Sequence, residues 1–370
     1  MNTSPSSPPV SQAEPSHAPG ASPGRPGAGR GADRSRPADG EAVAPTPDRR
    51  RTPMGQHLER FALPLLLLVI IVFFAVFPAS SGVFLSGANI GVVLGNQAVV
   101  TLVAVALLLP LVAGHFDFSV GSIAVFSSVV TAAGMAHFNL PWWVACLTGI
   151  AGGAVIGAVN GVLVARFGMN AFVSTLGMST LLAGLIQWYT GGLAIIGVDP
   201  GFAAFGSSNW LGLPRVVFVV TVIVLGVWYL LTHTPFGRAL YAIGSNARSA
   251  ALVGLPATRH AMTAFILSGV LASLAGVLLA ARTGGANADN GTYLLFPALT
   301  AVFLGATAIL PGRFNVFGTV LGVLFVAVSV SGLTLSGAQN WVDQVFNGAA
   351  LLVAVGLSSY LRRRRTGGGT

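Results

Sequence analysis

The sequence predicts an all-α membrane protein, a compact polytopic bundle of about ten transmembrane helices with a helical element on its cytoplasmic side. Of its 370 residues, 54% are hydrophobic and 8% are charged, whereas soluble domains carry about 25% charged residues. The mean hydropathy is +0.78. Apolar runs of about 20 residues, the length that crosses a bilayer, recur from residue 61 onward. Together these observations exclude an ordinary soluble domain.

The chain begins with a segment that we expect to be a disordered cytoplasmic tail over residues 1–60. Its first 52 residues are rich in Pro, Ser, Gly, Ala and Arg and show no apolar periodicity. Such a composition buries too little surface to offset the entropy of the chain. The run Arg49-Arg50-Arg51 lies just before the first apolar segment and should hold this end in the cytoplasm.

The transmembrane domain is predicted over residues 61–361. It contains ten apolar segments, at roughly 61–79, 89–113, 118–137, 142–165, 169–190, 214–232, 261–281, 293–310, 316–335 and 344–361. An even number of crossings places both termini on one side of the cell membrane. Residues 362–370 then form a second cytoplasmic tail, which begins with four arginines.

The charges of the loops agree with this topology. The loops predicted to be cytoplasmic contain five arginines: Arg166, Arg238, Arg248, Arg259 and Arg313. The external loops contain only Arg215 and Arg282, together with Asp199, Asp289 and Asp343. This asymmetry follows the positive-inside rule.

The same charges exclude several function classes. The net charge is +9, but its distribution fits a membrane topology, and no motif that reads nucleic acid accompanies it. All 19 basic residues are Arg, so the chain lacks the lysine that a P-loop ATPase site requires. We therefore expect a transport subunit without an ATPase site, a catalytic centre or a cofactor. We expect no metal either, because His115 and Asp117 provide only two ligands, and the single Cys146 allows no intrachain disulfide.

Small residues recur at four-residue spacing in two segments. Gly153, Gly157 and Gly161 form one ridge, and Gly318 and Gly322 form another. Because such ridges let helix backbones approach closely in lipid, they indicate tight packing in a compact bundle.

Asp117 is the one carboxylate within the apolar bulk, which by default indicates function. We interpret it instead as a structural cap at the start of the third segment, where backbone N–H groups favour a carboxylate.

Neutral polar residues also occur within the segments. Each could bond between helices, but together they are candidates for the path of an uncharged polar cargo: Asn96, Gln97, Asn160, Thr175, Gln187 and Asn347.

Residues 233–260 form a polar, basic loop that is longer than a connector needs. Pro235 and Gly237 should end the sixth segment. Residues 238–243 can then form a short surface helix that ends at Gly244 or Asn246 and exposes Arg238 and Tyr241 to the cytosol. The loop is predicted to be a docking surface for a partner protein.

The sequence also resembles the membrane permeases of ribose-type ABC importers over about residues 85–361. Five groups of residues carry the resemblance: Gly114 with Asp117-Phe118-Ser119-Val120-Gly121; Asn160-Gly161; residues 172–178 with Thr190-Gly191-Gly192; Gly237-Arg238 with residues 241–244 and Asn246; and Gly318-Thr319 with Gly322. The chain departs from the family pattern at His115, at Ser245 and over residues 305–313. These departures bear on the substrate and on loop geometry.

The resemblance implies that the loop at 233–260 holds a coupling helix seated in a groove of a separate ATPase subunit. The implied ATPase-coupling residues are Gly237, Arg238, Tyr241, Gly244 and Asn246. It also implies a second permease chain, identical or not, and an extracytoplasmic solute-binding protein that delivers a monosaccharide. Two alternatives stay open: the same architecture carrying a branched-chain amino acid or a furanosyl signal molecule, and a stand-alone secondary transporter that uses Asp117.

Overall fold

A computed structural model describes residues 53–289 and 291–365. Within these residues the chain forms fourteen α-helices and four two-residue strands. The helices are α1 Pro53–Val76, α2 Ser81–Phe84, α3 Gly87–Val112, α4 Val120–Ala136, α5 Trp142–Gly161 (extended by a π-helical turn, Val162–Arg166), α6 Ala171–Thr190, α7 Pro200–Ser207, α8 Arg215–His233, α9 Pro235–Ser245, α10 Ala247–Leu252, α11 Ala257–Thr283, α12 Thr292–Gly305, α13 Val316–Leu335 and α14 Asn340–Arg365.

Each of the ten apolar segments coincides with one helix, so the predicted all-α architecture is confirmed. Among the described residues, six helices are long and apolar enough to cross a membrane, namely α3, α5 with its π-helical turn, α6, α8, α11 and α13. Four shorter apolar stretches lie in α1, α4, α12 and α14. The number of membrane crossings therefore stays a prediction.

Helices α3 and α11 lie at the centre of the bundle. Their sequences are apolar on every side, which is typical of a helix surrounded by other helices rather than by water. In α3, every residue from Leu102 to Leu109 is fully buried. Helix α11 packs against α3, α4 and α5. The core of the bundle is thus formed within this one chain.

The first glycine ridge lies where α5 crosses α11. A Cβ atom on Gly157 would overlap the carbonyl oxygen of Phe265, and one on Gly269 would overlap that of Gly153. The prediction of close backbone approach is confirmed, and the structure adds that α11 contributes its own glycine. Only glycine at these positions lets the two helices pack at this separation.

The second ridge joins α12 and α13. A Cβ on Gly318 would overlap the carbonyl oxygen of Gly305, and one on Gly322 would overlap that of Ala301. Asn315 caps α13, since its Oδ1 accepts the Gly318 N–H at 2.7 Å. The loop before α13 is therefore held against the end of α12.

The four strands lie at the end of the bundle that the charge pattern predicts to be external. Strand β1 (Ile195–Ile196) pairs antiparallel with β4 (Gly285–Ala286). Strands β2 (Asn209–Trp210) and β3 (Leu213–Pro214) form a tight hairpin. These strands and α7 pack over the ends of α3, α4 and α11.

The predicted tails differ in part from the structure. Helix α1 begins at Pro53, inside the range assigned to the N-terminal tail, and α14 continues to Arg365, inside the C-terminal tail. A helix extends past the edge of its apolar segment because its backbone hydrogen bonds do not depend on hydrophobic side chains. Residues 1–52 and 366–370, which include the rest of both tails, lie outside the described residues.

Candidate functional site

The loop between α8 and α11 folds into two short helices. Thr234 caps α9, since its hydroxyl oxygen accepts the Gly237 N–H at 3.3 Å. Pro235 occupies the first turn, where the missing N–H costs nothing. Asn246 ends α9 and caps α10 by accepting the Ser249 N–H at 3.0 Å. Helix α9 is longer at both ends than the predicted 238–243, and Asn246 rather than Gly244 ends it.

Two glycines fasten α9 to the bundle. A Cβ on Gly237 would overlap backbone atoms of Leu231 in α8, and a Cβ on Gly244 would overlap the carbonyl oxygen of Val112 at the end of α3. Both were predicted as coupling residues. The structure places them on the side of α9 that packs against α3 and α8, and their role in coupling stays a prediction.

Tyr241 is less exposed than predicted. Its ring is half-buried, and its hydroxyl donates to the Phe314 carbonyl at 2.7 Å. Burial raises the pKa of the Tyr241 phenol, although the nearby Arg313 charge opposes this rise. The Arg313 guanidinium carbon lies 4.5 Å from the ring centroid. Tyr241 therefore joins α9 to the loop between α12 and α13. There its ring packs against Arg313, and its hydroxyl has a hydrogen-bond acceptor.

Arg238 does lie on the exposed side of α9, as predicted. One of its guanidinium nitrogens donates to the His233 carbonyl at 3.2 Å. A guanidinium has five N–H donors, so most of them remain available. No carboxylate in the described chain contacts Arg238. Arg238 and the exposed Asn246 thus form a polar surface on this part of the chain.

Asp117 lies before α4 rather than at its N-cap, which is Ser119. Its carboxylate is fully buried. Oδ1 accepts the Ser119 N–H at 3.0 Å and the Ser119 hydroxyl at 2.6 Å, and Oδ2 accepts the Ser268 hydroxyl at 3.3 Å. The prediction of a cap is thus corrected to a turn that ties the start of α4 to α11.

Two predicted path residues join this cluster. The Asn160 side-chain amide donates to the Ser119 hydroxyl at 2.8 Å, and the Phe118 N–H donates to the Thr175 hydroxyl at 3.0 Å. Both Asn160 and Thr175 are fully buried. Asn160 Oδ1 has no hydrogen-bond partner among the described residues. Helices α4, α5, α6 and α11 therefore meet at one buried polar cluster inside the bundle.

The other predicted path residues lie on three different helices: Asn96 and Gln97 on α3, Gln187 on α6 and Asn347 on α14. Asn96 is exposed, and its Oδ1 accepts a hydrogen bond from Arg282 at 2.7 Å. Gln97 is half-buried on α3, and Asn347, also half-buried, donates to the Asp343 carbonyl at 2.8 Å. Gln187 is exposed on α6. The structure does not bring all six residues together, and their role in transport stays a prediction.

Helix α6 carries a polar face that sequence reasoning missed. Gly177, Thr180, Gly184 and Gln187 recur at the spacing of one helix face, and all four are exposed. A Cβ on either glycine would have no heavy atom within 4 Å. The sequence does indicate a polar face on this helix, because α6 has the lowest mean hydropathy of the six long spans. The face is narrow, polar and open.

The end of the bundle that is predicted to be external carries exposed apolar side chains. Trp210 is 63% exposed and Leu211 is 87% exposed at the tip of the β2–β3 hairpin. Leu211 adopts φ 51°, a left-handed conformation that two-residue hairpin turns require. Ile196 on β1 is 78% exposed. On the predicted topology these side chains lie outside the bilayer, where exposed apolar side chains indicate an interaction surface.

Asp117→Asn is expected to change transport less than about 3-fold, because an amide oxygen still accepts the Ser119 N–H. Asp117→Ala should destabilise the protein by about 1–3 kcal/mol, because buried donors lose their acceptor. Uptake assays and thermal unfolding of both variants measure the two effects. A complete loss of uptake in Asp117→Asn, with normal unfolding, would instead assign Asp117 to ion coupling.

Within the described residues, no group of three His, Cys, Asp or Glu side chains could hold a metal ion. His115 lies against the ring of Phe265, with 6.0 Å between the ring centroids.

Comparison with known proteins adds independent information. Residues 89–355 match the profile of the family described as the permease component of branched-chain amino acid transport systems. The chain is 33% identical to the ribose import permease protein of Escherichia coli K12 over 296 residues, covering 78% of this chain and 91% of that protein. It is 31% identical to the fructose import permease protein of Rhizobium meliloti, covering 83% and 87%.

The chain is also 30% identical to the D-allose transport system permease protein of Escherichia coli K12, covering 76% of this chain and 86% of that protein. No solved structure matches the chain. The matched region contains the α8–α11 loop, the Asp117 cluster and the polar face of α6.

Proposed function

Because the chain belongs to the ribose- and monosaccharide-type ABC importer permeases, we propose that it is the membrane-spanning subunit through which a monosaccharide enters the cell. A separate ATPase subunit supplies the energy. The observation that carries this proposal is α9, which is packed against α3 and α8 on one side and exposes Arg238 on the other. Such a helix can transmit the movement of a docked partner to the bundle.

In this proposal the chain lies in the cell membrane with ten crossings and with both termini in the cytoplasm. The positions of the arginines support this orientation. Helices α9 and α10 then lie on the cytoplasmic side, where an ATPase is present. Arg238 and Asn246 contact it directly, whereas Gly237, Tyr241 and Gly244 hold α9 in place.

A second permease chain completes the transport path, and we place it against the polar face of α6. In a bilayer, an exposed Gln187 amide facing lipid would lack hydrogen-bond partners. A second copy related by a two-fold axis would present the same face, and glycines at 177 and 184 would let the two helices approach. Thr180 and Gln187 of both copies would then offer hydroxyl and amide groups to an uncharged sugar.

This placement predicts a crosslink. In a chain whose native Cys146 is replaced by Ser, Gly184→Cys is expected to form a disulfide-linked dimer in membranes under mild oxidation. Gly226→Cys on α8 is the matched control, since Gly226 is equally open but lies on another helix. Non-reducing gels measure both. Equal crosslinking at the two positions, or none at Gly184, would contradict this interface.

The external patch around Trp210, Leu211 and Ile196 is our candidate surface for the extracytoplasmic solute-binding protein. It lies over the ends of the central helices α3, α4 and α11 rather than at the outer edge of the bundle. A protein docked there could release its sugar directly above the bundle. This location supports a protein partner over lipid as the occupant.

The function is tested by reconstitution in proteoliposomes with a candidate ATPase subunit and a candidate solute-binding protein. We expect ATP-dependent uptake of one sugar from a panel of ribose, xylose, fructose and allose. Uptake of leucine or of a furanosyl signal molecule, with no sugar transported, would reassign the cargo within the same architecture. Uptake that needs an ion gradient but no ATPase would contradict the proposal.

A further inference from the structure

A cavity of about 340 Å³ lies between the end of α8, the helix α9 and the loop that leads into α13. We call it the basic cavity, because Arg238 and Arg313 both line it. It is separate from the Asp117 cluster and from the polar face of α6. On the predicted topology it opens at the level where the cytoplasmic lipid headgroups lie.

The charge of the basic cavity is not compensated. No Asp or Glu is among its described lining residues. Arg313 lies over the ring of Tyr241, whose hydroxyl is already occupied by the Phe314 carbonyl. Stacking on a ring face leaves the guanidinium edge, with its N–H donors, free to bind an anion. Two arginines in such an arrangement suit the oxygens of a phosphate group.

The wall of the basic cavity is apolar and continues to the outside of the bundle. The rings of Trp228 and Phe317 lie 5.4 Å apart between α8 and α13. Phe317 is 43% exposed and Leu310 is 48% exposed. Tryptophan is enriched where the hydrocarbon of a membrane meets the headgroups. A ligand here would place an anionic part on the arginines and an apolar part along these side chains.

We propose that the basic cavity binds the phosphate of an anionic phospholipid, with an acyl chain of the same lipid along Trp228 and Phe317. A free phosphate would use the arginines but not the apolar wall, so the combination favours the lipid. Basic pockets between transmembrane helices on the cytoplasmic side are suited to such headgroups. Bound there, the lipid would bridge α9 and the loop before α13, and it would stabilise the position of α9.

The experiment uses the full chain, purified and stripped of lipid, and then exposed to equal amounts of phosphatidylglycerol and phosphatidylcholine with identical acyl chains. Native mass spectrometry measures which lipid is retained. We expect phosphatidylglycerol to be preferred, and Arg313→Gln to reduce that preference by about 5-fold. Arg259→Gln is the control, since Arg259 is exposed at the start of α11 and does not line the basic cavity.

Leu310→Asp is the second variant, because it introduces a negative charge at the rim without removing an arginine. Both variants are first checked for folding by size-exclusion chromatography. An unchanged lipid preference in either folded variant would overturn the proposal. Displacement of the lipid by glycerol phosphate at equal concentration would show a soluble-anion site instead. Loss of ATPase binding in Arg313→Gln, with lipid preference unchanged, would assign the cavity to the protein interface.

This test does not depend on transport. Lipid retention is measured on the chain alone, so the lipid site can fail while the importer function holds. Conversely, a failed reconstitution of transport would not change the lipid-retention result.

Discussion

Replacing Arg238 with glutamate is expected to reduce transport-coupled ATP hydrolysis by about 30-fold or more, because truncating or reversing one partner of a close charge pair at an interface costs several kcal/mol. Arg238 is exposed on α9 and has no carboxylate partner in the described chain, so its charge is available to the ATPase. Insertion and folding should be unchanged, since the side chain packs against nothing that the core requires. The measurement is ATPase activity of the reconstituted complex with and without loaded binding protein.

The control is Arg166→Glu, which makes the same charge change on an exposed arginine outside the α9–α10 segment. Membranes of phosphatidylcholine alone are used, so that an effect on the basic cavity does not contribute. Coupled hydrolysis that survives Arg238→Glu would remove Arg238 from the interface. A loss of equal size in Arg166→Glu would indicate a general effect of charge on the cytoplasmic surface.

Replacing Gly157 with leucine is expected to impair assembly of the bundle strongly. Even a Cβ there would overlap the Phe265 carbonyl oxygen and would lie 3.2 Å from the Gly269 Cα. Because backbone atoms cannot move aside, α5 would separate from α11, which is the central helix. Overpacking typically costs about 1–3 kcal/mol, and occasionally more, so we expect about a 10-fold decrease in folded protein recovered from membranes.

Gly226→Leu on α8 is the matched control, because a Cβ there meets no heavy atom within 4 Å. It should be recovered like the unmodified chain, since leucine is tolerated on an open helix surface in lipid. Fluorescence-detected size-exclusion chromatography of tagged variants compares the two. Normal recovery of Gly157→Leu would mean that α5 and α11 are not packed as closely as described.

The helical segments could be predicted because each depends on local composition. An apolar run of about 20 residues is stable in a bilayer only if its backbone groups bond to one another, which the helix provides. The α9 helix could be predicted in the same way, because Pro235 and Asn246 each affect only the backbone of residues close to them in sequence. The glycine ridge at 153–161 predicted close packing, because its spacing sets one helix face. It did not identify α11 as the partner.

The candidate site was predicted only in part, because its contacts join distant residues. Asp117 was recognised as unusual, but its partner Ser268 lies on another helix, and a serine among apolar residues gives no signal of its own. Tyr241 was expected to be exposed, because its contact with Phe314 does not appear in the α9 sequence. The polar face of α6 was overlooked, although its spacing could have revealed it.

The sequence by itself determined that this protein is an all-α membrane protein and where its ten apolar helices lie, and it predicted that the energy comes from another chain. Composition, periodicity and the absence of lysine are properties of each segment or of the whole chain, so no packing is needed to interpret them. Only the tertiary structure decided which polar residues meet inside the bundle and which remain exposed. Those outcomes depend on how helices far apart in sequence cross, and the crossings are set by backbone contacts such as that of Gly157 with α11.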